Sequence, residues 1–412
     1  MSTAIDNGAI NAHMVVATVM YSSTVTNCQL SDALNLVMAG TVNVNWHDML
    51  WRRLNPSKTE MDDSQDLWRQ NAWSSYETKL KALRSQFHSA SKDQNQGKIG
   101  EANLDEAVLH ISSGNFSKAR TTLQSIMKSF PLLQFHALYY YLSAEILQQE
   151  WSSIVNTMIH SFNEVLKSES DFKVPILLCY ALALWKTKCY ADSAVVLLHA
   201  VSLDFNPQLW AWLSRENLDL MCVACSMLTL DRESLEFLLI GDVNLMPTFA
   251  AHPYLRRLVK SFLELNIETF NTEWSNVLKS NKHSWLLDAE LADLGYKLRQ
   301  HLTQSYLSVR TQCRVDTLLE LTQLDSVLAL AALFREINCE VEIDPIEGIV
   351  RHISKSRPST DPDSIYIADS LSILWHNIEA RNGQALRRSK GAAQKAPNRH
   401  GSSSGGRRRL VT

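Results

Sequence analysis

The sequence predicts a mainly α-helical protein: a solenoid of tetratricopeptide-like helical repeats, then a helical bundle that ends in a small β-hairpin module, then one more helix. Three observations carry that class. Glycine (13) and proline (10) are scarce in 412 residues, and 45% of the residues are apolar, a composition suited to helices with sizeable cores. Aromatic residues open successive apolar helical stretches at Phe116, Trp151 and Tyr190, 35 and 39 residues apart, close to the ~34-residue period of a two-helix repeat. Near the end, EVEIDPIEGIVRHI switches from helical to alternating periodicity, which is the signature of strands with one buried face.

The first 65 residues give no clear pattern. The opening MSTAIDNGAINAHMVV lacks the basic start and clean apolar run of a signal peptide. The longest apolar run, LLCYALALW, falls well short of the ~18–20 residues of a membrane span. The expectation is a protein of the cytoplasm and nucleus with no membrane partner, and the seven cysteines agree with a reducing compartment.

Residues 66–245 read as the repeats. NLDEAVLHISSGNFSKARTTLQ places Gly114 at a turn, with Phe116 and Ala119 opening the next helix. YYLSAEILQQEWSSIVNTMI brings Ala144 and Trp151, and CYALALWKTKCYADSAVVLLHAV brings Ala183, Tyr190 and Ala194. Small residues let paired helices approach, an aromatic fills the gap, and each pair buries its remaining face on the next. Asp231 is placed to start a further helix.

Residues 246–356 divide into a helical part, 246–309, and a compact end, 310–356. Leu255, Leu258, Val259 and Phe262 share one face, as do Phe270, Trp274, Val277 and Leu278. Leu287, Leu291, Leu294, Leu298 and Leu302 form a stripe at steps of three and four. Two short helices follow, one through Asp316 to Thr322 and one capped by Asp325. Asn338 is placed to reverse the chain. The hairpin then sets Val341 and Ile343 against Ile349, Val350 and Ile353, with Pro345 and Gly348 at the turn. Helix, helix, hairpin is the order of a winged helix. This one is not built for specific DNA binding: residues 325–337 offer one cation, Arg335, and the wing carries Glu340, Glu342, Asp344 and Glu347, which phosphates would oppose.

A helix is predicted over 362–386, with Asp361 and Asp363 near its start and Gly383 at its end. Leu371, Leu374, Trp375 and Ile378, with Ile365 and Ala368, make its apolar stripe. Residues 387–412 contain eight Lys/Arg and no Asp or Glu, including Arg387, Arg388, Lys390, Arg407, Arg408 and Arg409. That composition predicts a disordered basic tail, a nuclear-localisation patch or a solvated segment.

No chemistry emerges. GxGxxG, GxxxxGK[ST] and HExxH are all absent, so no nucleotide loop or zinc protease helix is indicated. Cys222 and Cys225 form a CxxC inside a helical run, without the further ligands a zinc site needs. Cys179, Cys189, Cys313 and Cys339 also sit in or beside apolar helical runs, and His110, His136, His160 and His199 lie in amphipathic stretches. No catalytic residue, metal ligand or cofactor site is expected.

This order resembles the PCI-domain scaffolds of the proteasome lid, a translation initiation complex and the constitutive photomorphogenesis signalosome. KLKALRSQFHSASKDQNQGKIGEANLDEAVLHISSGNFSKA is similar to the start of the signalosome's first-subunit family. LSRENLDLMCVACSMLTLDRESLEFLLI matches that family's LS…N opening and DR start at Leu213, Ser214, Asn217, Asp231, Arg232 and Leu235. WLLDAELADLGYKLRQHLTQSYL is similar to its long helix, and Ile343, Asp344, Gly348, Ile349 and Val350 fall on the domain's ID…GIV pattern. The glycine that normally precedes the hairpin is absent. The resemblance implies a non-catalytic scaffold. Its winged helix, through Val341, Ile343, Ile349 and Val350, would join a ring of PCI subunits. Its last helix would enter a bundle of other subunits' helices. The assembly would act on cullin-RING ligases by removing a ubiquitin-like modifier, with zinc held by another subunit. The homologous lid or initiation-factor scaffold is the alternative, and a nucleic-acid adaptor using the basic tail is a third.

Overall fold

Among the described residues, five helical hairpins close through the same turn, and that turn sets the architecture. In each, one residue adopts the left-handed conformation: Gln94 (φ 51°), Gly114 (75°), Gln149 (59°), Lys188 (63°) and Leu265 (55°). Its N–H donates to the carbonyl three residues back, and the next N–H donates to the carbonyl five back, as in Gly114 to Ile111 and Asn115 to His110. The same pair recurs as Gln149 to Ile146 with Glu150 to Glu145, and as Lys188 to Trp185 with Cys189 to Leu184. These bonds satisfy the carbonyls a helix C-terminus leaves open, the Schellman arrangement. Two residues on, the next helix begins at Phe116, Trp151 or Tyr190, the aromatics that marked the period.

The computed structural model describes residues 7–21, 26–58, 61–201, 203, 210, 212–240, 246–281, 284–310, 312–337, 339, 341–344 and 347–352. The apolar segment 362–386 with Leu371, Leu374, Trp375 and Ile378, the basic tail 387–412, Asn338 and Ile353 lie outside the described residues. Among the described residues the chain is mainly helical with one three-stranded sheet. Among the described residues, no single helix is long and apolar enough to cross a membrane.

Residues 1–65, which showed no pattern in sequence, include three helices, α1 (Asn7–Tyr21), α2 (Asn27–Gly40) and α3 (Val44–Leu54). Thr26 and Gln29 form a capping box at the start of α2, satisfying two otherwise open N–H groups. The α2–α3 connection docks on the turn at Gly114, where the Val42 N–H donates to the Ser112 carbonyl. A Cβ on Gly114 would meet the Asn43 amide at 2.6 Å. Glycine is therefore needed there for φ and for close approach alike.

The hairpin array runs through α4 (Asp63–Lys92), α5 (Gln96–Ser112), α6 (Phe116–Ser129), α7 (Gln134–Leu147), α8 (Trp151–Lys167), α9 (Lys173–Lys186) and α10 (Tyr190–Val201). A 3-10 turn at Pro131–Leu133 leads into α7. The first helices of successive pairs, α7 and α9, pack on each other. Ala144, Ala183 and Ala194 are buried at these interfaces, together with Trp185 and Tyr190.

The array continues into α11 (Arg215–Thr229), α12 (Arg232–Ile240), α13 (Met246–Ala251), α14 (Pro253–Leu263) and α15 (Ile267–Asn281). Ser214 caps α11 by accepting from the Asn217 N–H. Asp231 starts α12 as expected, its carboxylate accepting from the Ser234 N–H at 2.7 Å, and these N–H bonds hold its carboxyl below the ordinary range. Helix α16 (Asp288–Ser308) buries the whole predicted stripe from Leu291 to Leu302 against α11 and α15. Its first turns dock on the α9–α10 turn, where Lys186 Nζ meets the Trp285 carbonyl and Glu290 at 2.8 Å and the Tyr190 hydroxyl donates to Asp293 at 2.8 Å.

The chain then forms β1 (Gln312–Arg314), α17 (Val315–Thr322), α18 (Val327–Glu336), β2 (Val341–Asp344) and β3 (Ile349–His352). The sheet order is β1-β3-β2, antiparallel throughout. Three details differ from the sequence expectation. The hairpin gains a third strand, so Cys313, beside α17 as expected, lies in a strand of its own. Ser326, not Asp325, caps α18, its hydroxyl accepting from the Ala329 N–H. Ile349 and Val350 are consecutive strand residues and face opposite sides.

Candidate protein-interaction site

The register sorts the sheet's two faces. Cys313, Val350 and Ile343 are paired across the three strands and share the inner face with Val341. Val350 is fully buried, Cys313 nearly so, and Val341 and Ile343 pack half-buried against the core. Burial pushes the Cys313 thiol pKa up, which keeps it neutral. Leu318, Leu321, Leu330, Leu333 and Phe334 complete this small core. Val350, named from sequence as a contact residue, therefore spends its side chain inside the monomer. Val341 and Ile343 do so in part.

The outer face carries Gln312, Arg314, Glu342, Asp344, Ile349 and Arg351. Glu342 stands directly opposite Arg351, and Ile349 lies between Asp344 and Arg314. Arg351 also reaches Glu347 at 3.5 Å, and Arg314 reaches Asp316 at 3.2 Å. Both arginines are thus paired with carboxylates rather than held for phosphates. These exposed pairs contribute little to stability. Strands β1 and β2 are the sheet's edges, with one row of backbone groups each outside the ladder.

Helix α18 supplies the apolar surface. Its inner stripe is Leu330, Leu333 and Phe334, while Leu328 is 85% exposed and Val327 39%. Ala332 and Arg335 follow Leu328 at four and seven residues, on the same exposed side. The sequence analysis made no distinction between the faces of α18. The signal was available in the spacing, because 328, 332 and 335 form a helical stripe distinct from 330, 333 and 334. At the end of α18, Glu336 accepts from the Tyr296 hydroxyl at 2.8 Å, which ties this module to α16.

Several of the residues considered for chemistry are buried, whereas Cys189 and His160 are exposed. Cys222 and Cys225 are fully buried in α11, and burial raises the Cys225 thiol pKa well above its usual value. His110 is buried, with Nδ1 3.0 Å from the Tyr76 hydroxyl, and burial lowers its pKa. His136 is packed on Phe172 with ring centroids 4.1 Å apart. Among the described residues, no group of three or more His, Cys, Asp or Glu side chains is placed to hold a metal ion.

No protein-family model matches the sequence, and no curated protein matches it.

Proposed function

We propose that this chain is a non-catalytic scaffold subunit of a signalosome-type assembly, joining its neighbours through the module from β1 to β3 and through the apolar segment that follows it. The observation that carries the reading is the order of that module. A helix (α16), a strand, two helices and a hairpin, closed into a sheet of order β1-β3-β2, is the order of a winged helix. It follows an array of helical hairpins, as in the PCI architecture that the sequence resembles. The outward side of α18 favours protein over DNA, since Leu328 and Val327 occupy the exposed first turn where a reading helix needs donors to bases and phosphates. An exposed apolar helix face next to edge strands suits helix and strand contacts with another chain.

In this reading the chain works in cytoplasm and nucleus, holds no cofactor, and supports removal of a ubiquitin-like modifier from cullin-RING ligases by a zinc-bearing subunit. The test is to purify the full chain from its own cells at moderate salt and identify its partners by mass spectrometry. Recovery of several PCI-type subunits with a metal isopeptidase carrying an HxH…D motif supports the proposal. Recovery with proteasome base subunits or initiation factors moves the chain to the homologous scaffold. Nucleic-acid binding lost with residues 387–412, and no protein partner, would overturn the scaffold reading.

A further inference from the structure

Helices α1, α2, α4 and α5 border a groove of about 830 Å3. Its floor and one wall are the α4–α5 hairpin. Contacts of Tyr76 with His110 and of Arg84 with Glu106 set the register of that hairpin. Lys79 therefore stands level with Leu109, and Leu83 with Asp105. The other wall is the α1–α2 pair, which is packed so closely that a Cβ on Gly40 would come within 2.9 Å of the Ala12 Cβ. The Trp68 indole N–H donates to the Met38 carbonyl at 3.1 Å, bridging α2 and α4.

Each bordering helix presents residues at helical spacing: Leu36, Ala39 and Gly40 from α2, and Asp105, Val108 and Leu109 from α5. Small residues at Ala12, Ala39, Gly40 and Ala82 keep the walls low, so a ridge of side chains from another helix can enter. Val15 from α1 is 55% exposed beside it. The groove's hydroxyls are spent, Thr41 donating to the Val37 carbonyl and Ser112 to Leu109. Two charged groups remain. Among the described residues, neither Asp105 nor Lys79 makes a hydrogen bond or ion pair. Asp105 lies half-buried with Glu101 nearby, and burial followed by that charge raises its pKa.

We propose that this groove binds an amphipathic helix of a partner protein, its apolar side chains entering between the walls and a Lys or Arg reaching the Asp105 carboxylate. The chemistry selects this occupant. A cation relieves an unpaired, half-buried carboxylate, whereas an anionic headgroup drawn to the exposed Lys79 would leave that carboxylate unpaired and add a like charge near Asp105 and Glu101. The small residues along both walls permit the close approach that helix packing needs. The groove uses no residue of α18 or the sheet, so it stands or falls separately from the proposed assembly.

The test uses the full chain and a displayed library of amphipathic helical peptides. An Ala39→Trp/Ala82→Trp variant serves as counter-target. Both residues are exposed, and unchanged thermal unfolding verifies that the variant is folded. The expected result is enrichment of peptides with apolar residues at helical spacing and a flanking Lys or Arg. An enriched peptide, measured by fluorescence polarisation, should bind the blocked variant at least about tenfold more weakly. It should also weaken on Asp105→Lys and recover when its own cation is changed to Glu. Three results would overturn the proposal: no enrichment over the blocked variant, enriched peptides that bind both forms equally, or dodecanoate occupying the groove where no helical peptide does.

Discussion

Gly295 provides the sharpest test of the packing, because two physical effects predict opposite signs. It lies in the middle of α16, where Gly→Ala ordinarily stabilises a helix by about 1 kcal/mol. Here an added Cβ would fall on Trp274 Nε1 and within 2.8 Å of Cε2. The indole cannot swing away: Trp274 is 1% exposed, and Phe270 stacks against it at 6.1 Å with the rings nearly parallel. Overpacking of this kind costs about 1–3 kcal/mol and outweighs the propensity gain. Gly295→Ala should therefore lower stability by about 1–2 kcal/mol in urea unfolding. Trp274→Phe removes the obstructing indole nitrogen. Combined with Gly295→Ala, it should recover stability relative to the sum of the two single changes by at least about 1 kcal/mol. A Gly295→Ala protein more stable than wild type, or a double mutant that is simply additive, would refute the close approach of α15 and α16.

Three further predictions follow from particular residues. Gln94→Gly relieves a left-handed non-glycine residue at an exposed turn and should raise stability by up to about 1 kcal/mol, read as a higher urea midpoint, whereas Gly114→Gln should lower stability by more than that, because its side chain must also displace Asn43. Burial raises the Glu145 carboxyl pKa above its ordinary 4.5 despite Arg120 Nε at 2.6 Å; the folded chain then holds this proton more tightly than the unfolded one, so stability should fall as pH rises from 4.5 through the raised value, and unfolding from pH 4.5 to 8 should lose that component of the slope in Glu145→Gln. For the apolar segment beyond the sheet, Leu374→Asp/Trp375→Asp should leave monomer melting unchanged and abolish co-purification with partners, since charges in a buried seam lose water without gaining a partner; a collapsed monomer would assign the segment to the chain's own core.

The repeat was legible because its markers are side-chain volumes at fixed places: Phe116, Trp151 and Tyr190 each open a helix. The turns before them were legible only at Gly114. Gln149 and Lys188 adopt the same left-handed conformation without a residue type that announces it, because the two turn hydrogen bonds offset the strain. Leu291 to Leu302 showed their buried stripe because α16 packs along most of its length. The N-terminal helices went unread although α2 buries Leu30, Ala33, Leu34 and Val37 at steps of three and four, and the α2–α3 connection fits a surface supplied by the later turn at Gly114. Strand β1 spans three residues, too few for an alternating pattern, and pairing with β3 defines it. For the candidate site, the acidic wing and apolar α18 were readable. Which side of each residue met water depended on register: a one-residue step separates buried Val350 from outward-facing Ile349.

The central claim is that the module from β1 to β3 joins this chain to neighbouring subunits. Leu328→Asp tests it most directly, because a side chain already 85% exposed has little to lose in the monomer, where surface changes stay within about 0.5 kcal/mol. The measurement is the amount of partner subunits recovered with the tagged full chain, alongside thermal unfolding of the isolated protein. The account predicts unchanged unfolding and a loss of partners of at least about tenfold, as expected when a charge is buried unpaired in an interface. Full recovery of partners with Leu328→Asp would contradict it.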